Sequence, residues 1–254
     1  MSDAVLTEED GAVLTITINR PEAKNAVNSA VAQGIAAAME ELDTRKDLSI
    51  GILTGAGGTF CAGMDLKGFL TGDNPIVEGR GFAGIVERPS TKPLIAAVEG
   101  YALAGGCEVA LACDMVVAAR DAQFGLPEPK RGLVAAGGGL LRLPQRIPFH
   151  IAMEMALTGD KYAAERMAEL GFVNRLTEPG GALAAAKELA LKVGENAPLA
   201  LAATKKIIVE SPDWSDAETW QKQQEITLPV FTSKDAQEGP AAFAEKRKPN
   251  WKGE

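Results

Sequence analysis

Three turns in the first half of this sequence gather residue types that can stabilise charge on a bound molecule. The first, Phe60-Cys61-Ala62-Gly63-Met64-Asp65-Leu66, follows Gly55-Ala56-Gly57-Gly58. Its small residues let backbone N–H groups approach a ligand without side-chain obstruction. The second runs from Gly100 to Glu108 and sets adjacent glycines, Gly105 and Gly106, where a helix opens. A helix N-terminus has unpaired N–H groups and the positive dipole end, a setting suited to a developing oxyanion. The third, Phe124-Gly125-Leu126-Pro127-Glu128-Pro129, puts a second carboxylate in an apolar stretch. With Glu108 it gives the chain two candidate acid–base groups.

Each turn alone also has an ordinary reading. Glu108 can complement a helix dipole, Glu128 can be a solvated turn residue, and glycines serve tight turns. Neither GxGxxG nor GxxxxGK[ST] is completed, which argues against a dinucleotide or P-loop site. Cys107 as a nucleophile would need a base, and His150 is the only histidine. The same count argues against a catalytic triad, a His-ligated metal and a His proton shuttle. His150 itself reads as a surface or packing residue, and Met153 and Met155 read as core filler.

The turns need strands and helices to hold them. Val13–Asn19 alternates with period two and ends at Arg20-Pro21, as a strand does. Asn28-Ser29 offers an N-cap to an amphipathic helix, Ala30–Leu42. Ser49–Thr54, Leu94–Val98 and Asp114–Ala119 are short apolar runs of buried-strand type, and Glu108–Ala112 is helical. This alternation predicts crossover units and parallel pairing. Lys67–Pro75 reads as a mobile surface loop. Beyond Leu126 the pattern predicts helices at Ile151–Leu157, Ala163–Leu170, Gly181–Val193, Pro198–Glu210 and Asp216–Phe231, with one strand at Phe172–Leu176. The final segment, Lys234–Glu254, is highly charged yet carries Phe243 and Trp251.

The 254 residues suggest one or two domains, and 46% hydrophobic with 24% charged residues is an ordinary globular composition. The net charge of −8 disfavours nucleic acid. No apolar run is long enough for a membrane span, and MSDAVLTEEDG lacks the pattern of a signal peptide. Three cysteines suit a reducing, cytoplasmic setting.

Taken together, the three turns resemble the crotonase, or enoyl-CoA hydratase/isomerase, superfamily. The likeness extends from ITINRPEAKNAVN to EGPAAFAEKRKPNWKG and includes FCAGMDL, GYALAGGCEVALACD and TGDKYAAERMAELGFVNR. It implies a crotonase-like α/β fold: a spiral of ββα units over residues 1–195, then a C-terminal helical trimerisation region over 196–254. It implies that the Met64 and Gly105 N–H groups hold a thioester oxygen while Glu108 and Glu128 handle water and proton. It places Ala62, Met64, Asp65, Leu66 and Lys67 along the adenine and pantetheine of coenzyme A, and Ala23 and Lys24 near its phosphates. Phe243 and Lys246 would reach it from the C-terminus, in cis or from a neighbouring subunit. Two departures stand out: Ala104 replaces a frequent glycine, and Pro129 directly follows Glu128, which could change the pitch of that carboxylate.

The implied activity is that of a hydro-lyase adding water reversibly to a 2-enoyl-CoA to give a 3-hydroxyacyl-CoA. Two N–H donors can stabilise the thioester oxyanion, and two buried carboxylates can divide the proton transfers. No metal or other cofactor is called for, because coenzyme A belongs to the substrate. Within the same fold the alternatives are a delta-isomerase and a carnitinyl-CoA dehydratase, which the C-terminal segment resembles. From another class, the alternative is a non-catalytic acyl-CoA or RNA-binding relative. The expected assembly is a homotrimer or a dimer of trimers.

Overall fold

The computed structural model describes residues 4–254. Its main sheet opens with a hairpin, β1 (Val5–Asp10) and β2 (Val13–Ile18), paired antiparallel from Val5↔Ile18 to Asp10↔Val13. β1 escaped the sequence reading because five of its six residues are exposed; an edge strand shows no clear alternation of burial. Helix α1 (Ser29–Thr44) follows, its first turn closed by Asn28, whose side chain accepts from Val31 N. β3 (Ile50–Gly55) returns parallel to β2.

Asp65 then caps α2 (Leu66–Leu70), accepting from the N–H groups of Lys67 and Gly68. The expected loop at 67–75 therefore begins as a helical turn. A small hairpin of β4 (Ile76–Val77) and β5 (Gly81–Phe82) leads to β6 (Leu94–Val98). Next come β7 (Tyr101–Leu103), α3 (Gly105–Ala112), β8 (Met115–Ala119) and β9 (Gln123–Gly125). β6, β7 and α3 form one ββα unit: β6 joins the main sheet, β7 pairs with β9 in a second, three-stranded sheet, and α3 closes the turn. The main sheet has the order β1-β2-β3-β6-β8-β11, parallel apart from β1. The predicted crossover topology holds.

Helices α4 (Gly139–Arg146) and α5 (Phe149–Thr158) precede β10 (Lys161–Ala163), α6 (Ala164–Glu169) and β11 (Arg175–Thr177). The helix expected from Ala163 thus starts one residue later, because Ala163 ends the strand that pairs with β9. The last strand lies further along than Phe172–Leu176, since the parallel register with β8 begins at Arg175↔Val117. Met155 is fully buried but Met153 is 41% exposed, so only the former fills the core.

The strands divide their side chains between two cores. Ile50, Ile52, Ile95, Ala97 and Val117 face α7 (Ala182–Gly194), which presents Ala182, Ala186 and Ala190 at four-residue spacing. The alternate residues, among them Leu53, Ala96 and Val116, face the larger core beneath α1 and the second sheet. The chain ends in α8 (Pro198–Glu210), α9 (Thr219–Phe231) and α10 (Asp235–Ala244). Lys205 of α8 pairs with Asp114 at 2.7 Å, tying these helices to the start of β8. Among the described residues no helix is long and apolar enough to cross a membrane.

Candidate active site

The Gly-rich connection between β6 and α3 lies against the backbone of residues 61–64. Cys61 N donates to Tyr101 O at 2.8 Å, and Leu103 N donates to Cys61 O at 3.1 Å. A Cβ on Gly106 would stand 2.1 Å from the Cys61 carbonyl oxygen. One on Gly63, whose φ is +108°, would stand 2.8 Å from the Ala104 methyl. Only glycine permits this approach. Val27 N donates to Gly63 O and Asp65 N to Val27 O, which leaves the Met64 N–H on the opposite edge of the segment. Gly105 opens α3, where an N–H has no intrahelical acceptor. Among the described residues neither the Met64 nor the Gly105 N–H has a partner.

Ala104 joins β7 to α3 with φ +52° and ψ −129°. This backbone region is nearly reserved for glycine, so the alanine holds strain of about 1–3 kcal/mol. Its ψ aims the Gly105 N–H. The alanine that departs from the family pattern thus keeps the turn, at a cost.

Glu108 sits in the first turn of α3 and is 4% exposed. Its Oε1 accepts from Gly139 N at 2.9 Å. Burial pushes its carboxyl up to about 7; the nearby Glu128 adds to this, while the Gly139 and Gly137 N–H groups and Arg142 oppose it. Glu128 begins a 3-10 turn, Glu128–Arg131, and burial also raises its carboxyl, against its own N–H and Arg131. Its Oε2 is buried with no hydrogen-bond partner among the described residues, a costly arrangement typical of functional groups. Pro129 occupies an early position in that turn, where proline is compatible, and does not swing Glu128 out of the interior.

Met64, Gly105, Glu108 and Glu128 all line one cavity of about 370 Å³, together with Ala62 and Leu66. That volume suits a small-molecule site, and two buried carboxylates facing free N–H donors equip it for proton transfer at a carbon next to a polarised carbonyl. A larger cleft of about 950 Å³ lies between α8, α9 and the α3–β8 turn, but it holds neither glutamate and neither free donor. The candidate reacting groups gather in the smaller one.

The other candidate residues lie outside that cavity's wall. Lys24 stands with its Nζ 5.4 Å from the centre of the Tyr101 ring, and its carbonyl accepts from Ala62 N. Ala23 ends the preceding 3-10 turn. Asp65 is occupied: besides capping α2 it pairs with Arg20 at 3.0 Å, and the Gly68 N–H and Arg20 hold its carboxyl below the usual range. Lys67 is exposed on α2. Phe243, 88% exposed, and Lys246 line neither cavity of this chain. The sequence reading missed Arg131, Arg142 and the N–H groups of Gly137 and Gly139, although the run Gly137-Gly138-Gly139 before α4 was a visible signal of backbone contact.

The family model described as enoyl-CoA hydratase/isomerase matches residues 8–254. The chain belongs to this family. Its structure superimposes on that of an enoyl-CoA hydratase from Mycobacterium tuberculosis with TM-score 0.98 and 63% identity, both chains fully covered. The enoyl-CoA hydratase EchA1 from Mycobacterium marinum gives 0.98 and 62%, again over both chains in full. A carnitinyl-CoA dehydratase from Salmonella arizonae is 41% identical over the full length of both chains. As a member of the enoyl-CoA hydratase/isomerase family, the chain has the crotonase fold expected from its motifs.

Proposed function

We propose that the protein is an enoyl-CoA hydratase, which adds water reversibly across the double bond of a 2-enoyl-CoA. The observation carrying this is the convergence of Glu108, Glu128 and the unpaired Met64 and Gly105 N–H groups on one cavity. In this reading the two N–H groups receive the thioester oxygen as it gains negative charge. One carboxylate activates water for attack at the β-carbon, and the other delivers a proton to the α-carbon. Two glutamates whose carboxyls are both raised by burial are suited to dividing these tasks. The reaction calls on no resident cofactor, because coenzyme A arrives and leaves as the substrate's carrier. Ala62 and Leu66 would flank the pantetheine; Ala23, Lys24, Asp65 and Lys67 would lie along the rest of the coenzyme, with Phe243 and Lys246 reaching it from the C-terminal region. The retention of both carboxylates disfavours a non-catalytic binding protein and an isomerase that needs only one.

Residues 196–254 would form the oligomerisation region of a trimer or a dimer of trimers. α8 and α9 have no buried residue, and Ile208, Trp220 and Phe231 are exposed on them, apolar surface of the kind that marks an interface. Three free, buried cysteines fit a cytoplasmic setting. The decisive experiment follows loss of the enoyl thioester absorbance of crotonyl-CoA. Turnover by the wild type that falls in Glu108→Gln and Glu128→Gln supports the proposal; no turnover of any 2-enoyl-CoA overturns it.

A further inference from the structure

Glu108 lies against a turn of three glycines. A Cβ added at Gly137 would stand 2.6 Å from Glu108 Oε2, and one at Gly139 would stand 3.0 Å from Oε1. The middle residue, Gly138, faces Arg142 instead: a Cβ there would stand 2.2 Å from Nη1. The turn therefore touches both side chains. It also opens α4, and the Gly139 N–H that Glu108 accepts is the first of that helix.

Arg142 reaches back toward the start of α4, as helical side chains do. Its Nη2 donates to Val86 O at 2.5 Å. Val86 lines the cavity that holds Glu108, whereas Arg142 lines the larger cleft and not that cavity. The guanidinium thus ties the glycine turn to the wall at Val86 from outside the site. The charged groups around Glu108 come from three other stretches of chain. Glu128 and Arg131 stand on the 3-10 turn, Glu87 follows Val86, and Arg142 stands on α4. Cys107, its neighbour on α3, is a buried thiol pushed up to about 12 and stays neutral. Of the two arginines, Arg142 acts on Glu108 and Arg131 on Glu128. The effect is mutual: burial and Arg146 disfavour the Arg142 charge, and Glu108 favours it.

We propose that Arg142 is a positioning residue for Glu108: it holds the Gly137–Gly139 turn, and with it the Gly139 N–H, against the carboxylate and keeps a positive charge close by. This deepens the hydratase reading and rests on it, because Glu108 is an acid–base group in that reading. Without Arg142 the turn's N–H groups alone would oppose burial, and Glu108 would stay protonated further above neutral pH.

The test follows the Glu108 carboxyl by NMR in protein with labelled glutamate, its signal assigned by its loss in Glu108→Gln. Arg142→Gln removes the charge but keeps an N–H donor for Val86 O. Its Glu108 titration should move up by roughly one pH unit, and Arg142→Lys, which keeps the charge, should return most of that shift. The bend in kcat/KM for crotonyl-CoA should move up with the titration in Arg142→Gln, while KM stays within about twofold of wild type. An arginine with a merely structural role would leave both midpoints in place. An unmoved Glu108 titration in Arg142→Gln, or an equal displacement in Arg142→Lys, overturns the proposal. Should Arg142→Gln fail to fold, the wild type decides. Its Arg142 guanidinium nitrogen signals should step with the Glu108 titration and lose that step in Glu108→Gln; signals without the step in the wild type overturn the proposal. If no enoyl-CoA is hydrated, the hydratase reading fails by itself, and the titrations still test the hold of Arg142 on Glu108.

Discussion

Replacing Glu108 by glutamine should make the protein more stable and nearly inactive in the same step. Burial raises this carboxyl from an ordinary 4.5 to about 7, so between those values the folded protein binds more protons than the unfolded chain. Stability therefore declines as pH rises through that window, and the contribution from protonated Glu108 is lost above pH 7. A gap of roughly 2.5 pH units at about 1.4 kcal/mol each amounts to about 3 kcal/mol of destabilisation by the ionised group. Glutamine keeps the shape and can still accept from Gly139 N with its side-chain oxygen, but it never ionises. Urea midpoints for both proteins, measured at one concentration at pH 4 and pH 8, should nearly coincide at the lower pH. At the higher pH the variant should exceed the wild type by about 2–3 kcal/mol. Glu128 is raised by burial in both proteins, so comparison at each pH isolates Glu108. The variant's kcat on crotonyl-CoA should drop about 10²–10⁴-fold. Equal stability at pH 8, or near-native turnover, would refute the reasoning that a buried, destabilising carboxylate is kept for chemistry.

Glu128→Gln should lower kcat by a similar ~10²–10⁴-fold with a far smaller change in substrate binding, read from single-turnover and binding measurements. The wild-type kcat/KM profile should bend near pH 7, and the bend should be absent from the residual activity of Glu108→Gln. Met64→Ala leaves the peptide N–H in place, so kcat should change only modestly; a large loss with intact folding would assign the side chain a role. Lys246→Glu should raise KM for the CoA thioester mostly at low ionic strength, with kcat nearly unchanged, as a point-charge contact to phosphate requires. Native KM at every salt concentration would remove Lys246 from the coenzyme's surroundings.

Much of this was legible in local pattern. The Asn28 cap and the period-two strands were readable because capping and alternation are interactions among near neighbours in sequence. The motifs around Met64, Gly105, Glu108 and Glu128 named the family and marked the residues that the fold brings to one cavity. Edge strand β1 was invisible because five of its six residues are exposed, so no alternation of apolar and polar positions marks it. The helical start of α2 was hidden in a segment of turn-forming residues until Asp65 was seen to cap it.

The sequence alone thus determined the family, most strands of the main sheet and the candidate residues Met64, Gly105, Glu108 and Glu128. What it could not determine was their state. That Met64 and Gly105 keep free N–H groups depends on backbone pairing between residues 61–64 and 101–106, far apart along the chain. That Asp65 is engaged by Arg20 depends on a contact no local pattern records. Glu108 near neutrality likewise arises from packing of distant segments. Desolvation and hydrogen-bond satisfaction are properties of an environment, and only the folded chain supplies that environment.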